Sequence, residues 1–554
     1  MFHQSCWVDN RVNQVNIGAM NNRLFPGFAV AVSTLSSTGA GPVFHACANP
    51  RQPFTHHVPG RRSAWVCLLL AGCFLGASLP AATGSGEEVA QQILEASGFK
   101  GGFIAHVGCG DGKLTAALPV SEHTIVHGLD RDASRIAMAR RHIRSLGLYG
   151  RVSVEQWDGK ALPYVDNLVN LLVVENPDLV EPGEIMRVLA PNSAAIIRKG
   201  GEWVKQVKPR PGNIDEWTHY LHDASGNAVA HDDVVGPPRH YQWIGSPRWS
   251  RHHDHMASMS AMVSAGGRVF YIFDEGPTSS AQLPAQWSLV ARDAFNGSIL
   301  WRKPIEQWQT HFWPLKSGPA HLPRRLLAVG DTVYVTLGLH APVTALDAAT
   351  GRVSRTFAGT ESTQEMIYSD GVLLLSINER LKDEPEFNPR DTFVWDNTKR
   401  ANRDWAWKQG GKVVVAVNAG TGATLWKKDR SVAPLTLASD GRRVFFFDGE
   451  KLVCLNRETG AELWVSEGIG TRAPLFTNFA PRLVVYGEAV LFSTGKNSMA
   501  GYSAETGKTL WSSKQARTGH QSPEDMLVVN GLVWSGATAG GRDSGVFTGR
   551  NPLT

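Results

Sequence analysis

A chain of 554 residues is too long for one ordinary domain, so at least two hydrophobic cores are expected. Hydrophobic residues make up 42% and charged residues 19%, which excludes a largely disordered chain. The formal net charge of +5 is small for this length and no Lys/Arg run stands out, so nucleic acid is not expected as a partner.

The first 83 residues predict a leader rather than a folded domain. Residues 1–60 contain a single acid and no clear periodicity. Residues 61–83 combine two arginines, an apolar run and small residues, which is the pattern of a secretory signal peptide. The run LAGC at 70–73 also resembles a bacterial lipobox, so Cys73 is a candidate lipid anchor. We therefore expect export to the periplasm or cell envelope, and a true start downstream of the first methionine.

Residues 87–205 alternate between helical and strand patterns, which predicts an α/β domain. After a helical pattern over 87–97, a buried strand over 102–107 leads directly into a Gly-x-Gly-x-Gly turn, 108–112. Glycines at a strand-to-helix turn allow a tight curl and a close approach to a ligand, next to the N–H groups of the following helix.

Two acids follow this turn at the ends of later strands. Asp130 ends the second strand, 20 positions after Gly110, where a carboxylate can accept both ribose hydroxyls of an adenosine ligand. A helix over 133–146 and a strand over 152–156 then lead to Asp158. A strand over 168–174, a short helix near 184–191 and a strand over 194–198 complete the pattern.

In this order the motifs resemble the class I S-adenosylmethionine-dependent methyltransferases, over residues 87–205. The resemblance implies a Rossmann fold that binds S-adenosylmethionine, with Asp130 at the ribose and Asp158 near the adenine amino group. The cofactor-binding residues that it implies are Gly108, Gly110, Asp111, Gly112, Asp130 and Asp158. The sequence identifies no catalytic base and no methyl acceptor.

The chain departs from the family pattern in three places. The acid that usually stands two residues before the first loop glycine is His106, and the acid that opens the fourth strand is Asn170. The antiparallel strand pair that usually ends the sheet is hard to find, because the chain becomes proline-rich at 208–212. Two alternatives stay open for this domain: a working cofactor site, or a degenerate fold kept for packing or binding.

Residues 206–260 predict a His-rich linker. On a helix, His219 and His222 would lie on one face, close to Asp223, and two histidines with a carboxylate can bind a divalent metal. No spacing here matches a defined metal motif. A polar linker with hydrogen-bonded histidines is therefore the alternative, and no metal is expected beyond these weak candidates.

A repeat of the form A-x-D/N-x-x-T-G-x-x-L-W recurs after residue 260. Its five copies begin at Ala291, Ala345, Ala416, Cys454 and Gly501, and all except the second end in a tryptophan. The Asp or Asn, which is Ser503 in the fifth copy, would cap a turn, the Gly would take a positive φ, and the Trp, where present, would pack on the neighbouring blade. The pattern predicts a β-propeller of four-stranded blades, with its largest loop insertion at about 380–411.

These repeats resemble the tryptophan-docking repeats of quinoprotein dehydrogenases and of outer-membrane-assembly scaffold propellers, over roughly 240–554. The tail 549–554 matches only the first six positions of another copy, so we expect a chain truncated within the propeller. The sequence has no adjacent Cys-Cys pair and no calcium loop that can be picked out, so pyrroloquinoline quinone is not expected as a cofactor.

The predicted fold class is multidomain, with an α/β Rossmann-like methyltransferase domain followed by an all-β propeller. The expected parts are a leader (1–60), a signal peptide (61–83), the Rossmann domain (87–205), the linker (206–260) and the incomplete propeller (261–554). Three functions stay open. The leading one is a methyltransferase whose propeller face binds a protein or small-molecule ligand. A non-catalytic envelope scaffold is the second, and a quinone-dependent dehydrogenase is the least favoured.

Overall fold

The computed structural model describes residues 78–79, 84–247, 249–251, 256–280, 282–310, 313, 318–383, 407, 411–469, 480–494, 498–514, 525–536 and 547–554. The candidate lipid-anchor cysteine Cys73, most of the predicted signal peptide and most of the 380–411 insertion lie outside these residues. Among the helices that are described, none is long and apolar enough to cross a membrane.

The N-terminal part forms one seven-stranded sheet flanked by helices. Its helices are α1 (Gly86–Ser97), α2 (Lys113–Ala117), α3 (Ala133–Ser145) and α4 (Pro182–Val188). Its strands are β1 (Ser78–Leu79), β2 (Phe103–Val107), β3 (Ile125–Asp130), β4 (Val152–Gln156), β5 (Val169–Val174), β6 (Leu189–Lys199) and β7 (Glu202–Val207), in the order β1-β7-β6-β5-β2-β3-β4. Neighbouring strands from β2 to β6 are parallel, as the α/β prediction required.

The closing antiparallel pair that was hard to identify in the sequence is present. β6 and β7 pair from Ala194 with Val207 to Lys199 with Glu202. The first proline of the proline-rich stretch is Pro209, which follows the end of β7, so that stretch does not interrupt the strand. The short strand β1 adds to the outer edge of β7.

The parallel strands are buried on both faces, because helices cover the sheet from both sides. Ile104 and Leu171 pack with residues of α1 and α3 on one face. Ala105 and Leu172 pack with residues of α4 on the other. This double layer holds the carboxyl ends of β2, β3 and β5 rigidly beside one another, where the glycine turn begins.

The rest of the described chain forms six antiparallel sheets, which we number blades 1 to 6. Blades 1 to 5 have four strands each and blade 6 has three. Their strands are β8 (Met259–Ala265), β9 (Arg268–Asp274), β10 (Trp287–Asp293), β11 (Ile299–Ile305); β12 (Leu326–Val329), β13 (Thr332–Thr336), β14 (Val343–Asp347), β15 (Val353–Thr356); β16 (Thr363–Ser369), β17 (Val372–Asn378), β18 (Lys412–Asn418), β19 (Thr424–Lys428); β20 (Ala438–Ser439), β21 (Arg443–Phe447), β22 (Leu452–Asn456), β23 (Glu462–Val465); β24 (Arg482–Tyr486), β25 (Ala489–Ser493), β26 (Ser498–Ser503), β27 (Thr509–Lys514); and β28 (Leu527–Val529), β29 (Leu532–Gly536), β30 (Phe547–Arg550). The predicted four-stranded blades are confirmed.

The repeat tryptophans tie each blade to the next. Trp301 Nε1 donates to the carbonyl of Ala348 at 3.0 Å, in the repeat turn of the following blade. Gly351 of that turn, at φ 69°, lies so close to the indole that a Cβ there would be 2.6 Å from it. The matching donations are from Trp426 to Arg457 (2.7 Å), Trp464 to Ala504 (3.0 Å) and Trp511 to Pro552 (2.9 Å). The predicted roles of the Trp and Gly positions are therefore confirmed.

Two positions vary this contact. The second repeat copy lacks its tryptophan, and Arg355 at that position donates to the carbonyls of Gly420 and Thr421 at 2.9 and 2.8 Å. Before blade 1, Trp243 donates to the carbonyl of Ala294 at 2.9 Å and lies against Gly297. The series of blade contacts thus starts within the segment that the sequence treats as a linker.

Residues 217–227, which we call the axial segment, run through the centre of the propeller. Around this centre the first strands of neighbouring blades contact one another in the pairs β8 with β12, β12 with β16 and β20 with β24. One N–H from the first strand of each of the six blades donates to the axial segment, in chain order: Ser264 to Trp217 O (2.7 Å), Ala328 to Thr218 O (3.0 Å), Tyr368 to His219 Nε2 (2.9 Å), Ser439 to Ala224 O (2.8 Å), Val485 to Ser225 O (2.9 Å) and Val528 to Asn227 Oδ1 (2.9 Å). The segment satisfies inner-edge amides that would otherwise lack partners.

Candidate functional site

The glycine turn between β2 and α2 has the conformation that its sequence predicts. Gly108, Gly110 and Gly112 have φ of 84°, 54° and 83°, in the left-handed region that side chains disfavour. A Cβ on Gly112 would be 2.8 Å from Cβ of Ala139, so this glycine allows α2 and α3 to approach each other. A Cβ on Gly110 would meet only the carbonyl oxygen of Gly108, at 3.9 Å, so space remains above the turn.

Asp130 reaches this turn from the end of β3. Its Oδ2 accepts the Gly110 N–H at 3.0 Å, and its Oδ1 accepts the Asp132 N–H at 3.0 Å. The residue is 6% exposed, and Arg135 Nη1 lies 3.9 Å from Oδ2. Each carboxylate oxygen keeps a second lone pair, so Asp130 can still accept hydroxyl donors of a ligand. The structure thus brings Asp130 and Gly110 together.

The other two predicted acids face local lysines instead. Asp111 accepts the Lys113 N–H at 3.1 Å and lies 2.9 Å from Lys113 Nζ. Burial raises the pKa of Asp111, but these Lys113 contacts outweigh it and lower the pKa overall. Asp158 accepts the Lys160 N–H at 3.0 Å, a hydrogen bond that lowers its pKa. Among the hydrogen bonds and ion pairs of the described residues, none joins either acid to Asp130.

Glu175 is a site residue that the sequence analysis missed. It follows β5 directly, and its N–H donates to Val107 O at 3.0 Å, beside the glycine turn. Its carboxylate lies 3.8 Å from Nε2 of His106 and 3.2 Å from Nη1 of Arg198. Burial raises the pKa of Glu175, but His106 and Arg198 outweigh burial and lower it. An acid directly after a buried strand was the available signal, because β5 neighbours β2.

His106 occupies the place of the acid that the family pattern expects. It is 1% exposed, and its Nδ1 lies 2.9 Å from Oγ1 of Thr115. Its Nε2 has no hydrogen bond and faces the Glu175 carboxylate. His106 therefore helps to hold the Glu175 carboxylate beside the glycine turn. The negative charge then comes from the end of β5, and not from an acid at position 106 on β2.

A cleft of about 180 Å³ lies beside the Glu175 carboxylate. Its lining residues are Gly84, Gly86, Val89, Leu114, Glu175, Arg198 and Trp203. The walls combine apolar side chains with one carboxylate and one guanidinium. Pockets that bind drug-sized ligands have volumes of about 300 Å³ or more, so this cleft is smaller than such a pocket. It suits an amino-acid-sized group with both charges.

The two domains meet at the other end of the sheet. Nδ2 of Asn170, at the start of β5, donates to Oδ2 of Asp293 at 2.7 Å. Oδ1 of Asn170 accepts from Asn296 Nδ2 at 2.7 Å and from the Phe103 N–H at 2.9 Å. Asp293 and Asn296 belong to the repeat turn of blade 1. The family's acid at position 170 is thus replaced by an amide that joins the domains, away from the glycine turn.

The predicted histidine pair does not lie on a helix. His219 and His222 form an antiparallel bridge, with N–H to O distances of 3.1 Å in both directions, so the helical expectation was wrong. Leu221, an apolar residue between the two histidines, is fully buried. Its burial favours a tight turn that directs the Leu221 side chain into the protein interior. His219 contacts Thr218 Oγ1 and accepts from the Tyr368 N–H, and burial lowers its pKa to about 4. Both ring nitrogens of His219 are therefore occupied.

His222 and Asp223, by contrast, come together with a residue that the prediction did not include. One ligand atom each of His222, Asp223 and His231 lie within 4.8 Å of one another. The sequence could not single out His231 among the other histidines of this stretch. Its proximity depends on how the chain folds back on the axial segment.

Two family models match separate parts of the chain. Residues 104–201 match the model described as a methyltransferase domain. Residues 410–553 match the model described as outer membrane protein assembly factor BamB. Together with the two folds, these matches confirm the predicted combination of a methyltransferase-like Rossmann domain with a PQQ-like β-propeller.

Similar proteins cover one or the other part. Methyltransferase GfsG from Streptomyces halstedii is 30% identical over 123 residues, which are 21% of this chain and 42% of that protein, so the chain spans less than half of this relative. BamB from Moraxella catarrhalis has 16% identity over 52% of this chain and 69% of that chain, with a TM-score of 0.33. A putative S-adenosyl-L-methionine-dependent methyltransferase from Methanococcus maripaludis has 25% identity over 20% of this chain and 54% of that chain, with a TM-score of 0.19.

Proposed function

We propose that the α/β domain binds S-adenosylmethionine and acts as a methyltransferase. The observation that carries the proposal is the glycine turn at 108–112, whose central N–H is bonded to Asp130 and whose outer side carries Glu175. When bound, S-adenosylmethionine would supply an electrophilic methyl group, which passes to the lone pair of an aligned acceptor while the carbon–sulfur bond breaks and the sulfur leaves as a neutral thioether.

The residues around the turn fit the chemical groups of this cofactor. Asp130 has lone pairs for the ribose hydroxyls. Glu175 offers an ionised carboxylate for the ammonium group, in place of the acid that His106 replaces. Arg198 lies close enough to Glu175 to bind the carboxylate of the same amino-acid group. Asp111 and Asp158, which face Lys113 and Lys160, need to turn inward before they contribute.

The propeller would then serve as a rigid platform. Because the axial segment fills its centre, we infer that a protein or small-molecule ligand binds on a face of the propeller and not along its axis. The BamB-type repeats support a location in the cell envelope. Export by the 61–83 signal peptide, with or without a lipid on Cys73, remains part of this proposal.

A non-catalytic envelope scaffold is the second candidate. The observation that favours it is the hydrogen bonding of Asn170 to Asp293 and Asn296, by which the α/β domain is attached to blade 1. A domain kept only for packing would need this contact and would not need the glycine turn or Glu175.

Calorimetric titration of S-adenosylmethionine into the full-length protein separates the two candidates. We expect micromolar binding that weakens about 10-fold or more in Asp130→Asn and in Glu175→Gln, since each variant removes a charge-assisted hydrogen bond. Glu122→Gln is the matched control, because it neutralises an exposed carboxylate at the opposite end of β3. Absence of binding by the wild-type protein would reject the methyltransferase proposal and leave the scaffold.

A further inference from the structure

His222 is buried, and one of its ring nitrogens has no hydrogen bond. The residue is 5% exposed and has φ 72°, a backbone conformation that is uncommon for a side chain of this size. Its Nε2 lies 2.7 Å from Oδ2 of Asp215. Its Nδ1 is buried and makes no hydrogen bond, although Oδ2 of Asp223 lies 3.4 Å away. A buried imidazole nitrogen of this kind is available as a ligand.

Asp223 is oriented in the same way, with one oxygen held and the other directed at His222. Its Oδ1 accepts from the backbone N–H and the hydroxyl of Ser225. Its Oδ2 faces Nδ1 of His222. A tetrahedral ion about 2.05 Å from two donor atoms separates them by about 3.4 Å, so the observed spacing can accommodate such an ion without moving either group.

His231 supplies the third group. Its backbone N–H donates to Oδ2 of Asp215 at 2.6 Å, and its ring lies edge-to-face with the His222 ring, with 5.3 Å between centroids. Asp215 therefore holds the ring of His222 and the backbone of His231, and a carboxylate behind a ligating imidazole, as at His222, is the usual second layer of a metal site. His231 is exposed, and one of its ring nitrogens already lies within 4.8 Å of the ligand atoms of His222 and Asp223.

The position of the cluster leaves it accessible. Oε1 of Glu216, next to Asp215, accepts the N–H of Gly266, which follows the first strand of blade 1. In an antiparallel four-stranded blade, this turn and the repeat turn lie at the same end of the sheet. Glu216, next to the cluster, therefore lies at the propeller face whose repeat turn at Asp293 contacts the α/β domain, and the exposed His231 gives the cluster access to solvent.

We propose that Nδ1 of His222, Oδ2 of Asp223 and a ring nitrogen of His231 bind one divalent transition-metal ion of the zinc class. Two imidazoles and one carboxylate suit Zn²⁺ and its neighbours, whereas Mg²⁺ and Ca²⁺ prefer all-oxygen sites. Three protein ligands leave at least one position for water or for a donor atom of an external ligand. The inference does not depend on the activity of the α/β domain.

The test uses full-length protein that is stripped with EDTA and titrated with Co²⁺, whose visible absorption reports coordination by nitrogen and oxygen. We expect saturation at one equivalent, and displacement by Zn²⁺. His231→Ala and Asp223→Asn each remove one ligand, and Asp215→Asn weakens the second layer, so each should lower the affinity about 10-fold or more. His231 is exposed and Asn at 223 keeps the Ser225 contacts, so both variants should fold.

His240→Ala is the matched control, because it removes an exposed histidine of the same stretch that lies outside the cluster. It should bind Co²⁺ like the wild-type protein. The proposal is overturned if the wild-type protein shows no saturable Co²⁺ binding. It is also overturned if His231→Ala binds as tightly as the wild-type protein, or if His240→Ala weakens binding equally, since the ion then lies elsewhere.

Discussion

Asn170 connects the two domains because its amide group is both a donor and an acceptor. The donor half faces the Asp293 carboxylate, and the acceptor half faces Asn296 and the Phe103 N–H. Burial raises the pKa of Asp293, so a second carboxylate at this place would meet a group that already resists ionisation. The contact with the propeller therefore explains why an amide stands at position 170. The α/β domain considered alone gives no reason for this amide.

Asn170→Asp should therefore weaken the domain contact. The change replaces a 2.7 Å hydrogen bond with two facing carboxyl groups, and we expect a loss of about 1–3 kcal/mol of unfolding free energy. Hydrogen exchange of the Phe103 and Asn296 segments should accelerate. Asn176→Asp is the control, because Asn176 is exposed and Asp caps its short helix equally well. Equal exchange rates in the wild type and Asn170→Asp would contradict this account.

The charge of Lys412 is opposed by the burial of its side chain. It is 6% exposed in blade 3, and burial lowers its pKa to about 7, although nearby Glu365 acts in the opposite direction. The pKa of an unfolded lysine is about 10.4, so between about pH 7 and 10 the unfolded chain binds more protons than the folded one. The contribution of Lys412 to stability therefore rises with pH across this range and is least favourable below pH 7.

Lys412→Met should remove that dependence. The difference in unfolding free energy between variant and wild type should favour the variant near pH 7 and shrink by about 1.4 kcal/mol per pH unit towards pH 10. Denaturant unfolding followed by tryptophan fluorescence at several pH values measures it. Lys427→Met removes the same charge from an exposed position in the same blade and serves as the control. A pH-independent difference for Lys412→Met would show that its charge carries no such penalty.

At the scale of elements, the repeat turn is the part of the fold that the sequence predicts best. Its signals are local, because the turn needs an Asp or Asn cap, a left-handed Gly and a Trp four residues later. The same reasoning identified the Gly108, Gly110 and Gly112 turn. Glu175 escaped it, because its relation to His106 depends on two strands that are neighbours in the sheet and 69 positions apart in the chain.

In the Gly–Trp contact between blades, a substitution of the glycine should lower the unfolding free energy more than a substitution of the tryptophan. Gly507 has φ 69°, and a Cβ there would overlap the Trp464 ring, so Gly507→Ala adds a collision to the backbone strain. Gly487→Ala is the matched control: φ is 55°, nothing lies within 4 Å of its Cβ, and strain of about 1–2 kcal/mol is expected alone. Trp464→Phe loses the 3.0 Å bond to Ala504, about 1 kcal/mol, and part of the indole surface that packs against Gly507.

Thermal unfolding of these three variants measures the order of the costs. We expect the midpoint to fall most in Gly507→Ala, whose decrease should exceed that of Gly487→Ala by at least the cost of moving the indole. If the two alanine variants unfold at the same temperature, the indole does not pack against the turn as described. The comparison needs no absolute stability, because both variants place alanine at a left-handed glycine.

At the scale of the whole molecule, the sequence predicts the two folds and does not predict how the chain joins them. The repeats and the glycine turn are contiguous patterns, so they can be read without a structure. The axial segment has no pattern of its own, since its partners are backbone N–H groups spread from Ser264 to Val528. The histidines suggested a helix because their spacing was considered without the burial of Leu221, which only the surrounding blades impose.

Asn227 offers a test of whether the axial segment holds the propeller together. Its side chain accepts from the Val528 N–H at 2.9 Å and donates to the Val528 carbonyl at 3.0 Å, across 301 positions of the chain. Asn227 is 6% exposed, so Asn227→Leu leaves two backbone groups of β28 without partners in an apolar setting. Such a loss costs about 1–3 kcal/mol for each group. Blade 6, which contains β28, should therefore loosen before the other blades.

We therefore expect hydrogen exchange in residues 525–536 of Asn227→Leu to accelerate at least 10-fold, because opening of blade 6 becomes easier by that free energy. Blade 1, whose bond to Trp217 is untouched, should keep its exchange rates. Asn213→Leu makes the same replacement at an exposed position ahead of the axial segment and is the control. Acceleration spread evenly over blades 1 to 6 would mean that the propeller opens as one unit. Unchanged rates in residues 525–536 would mean that neighbouring blades, and not the axial segment, hold blade 6 in place.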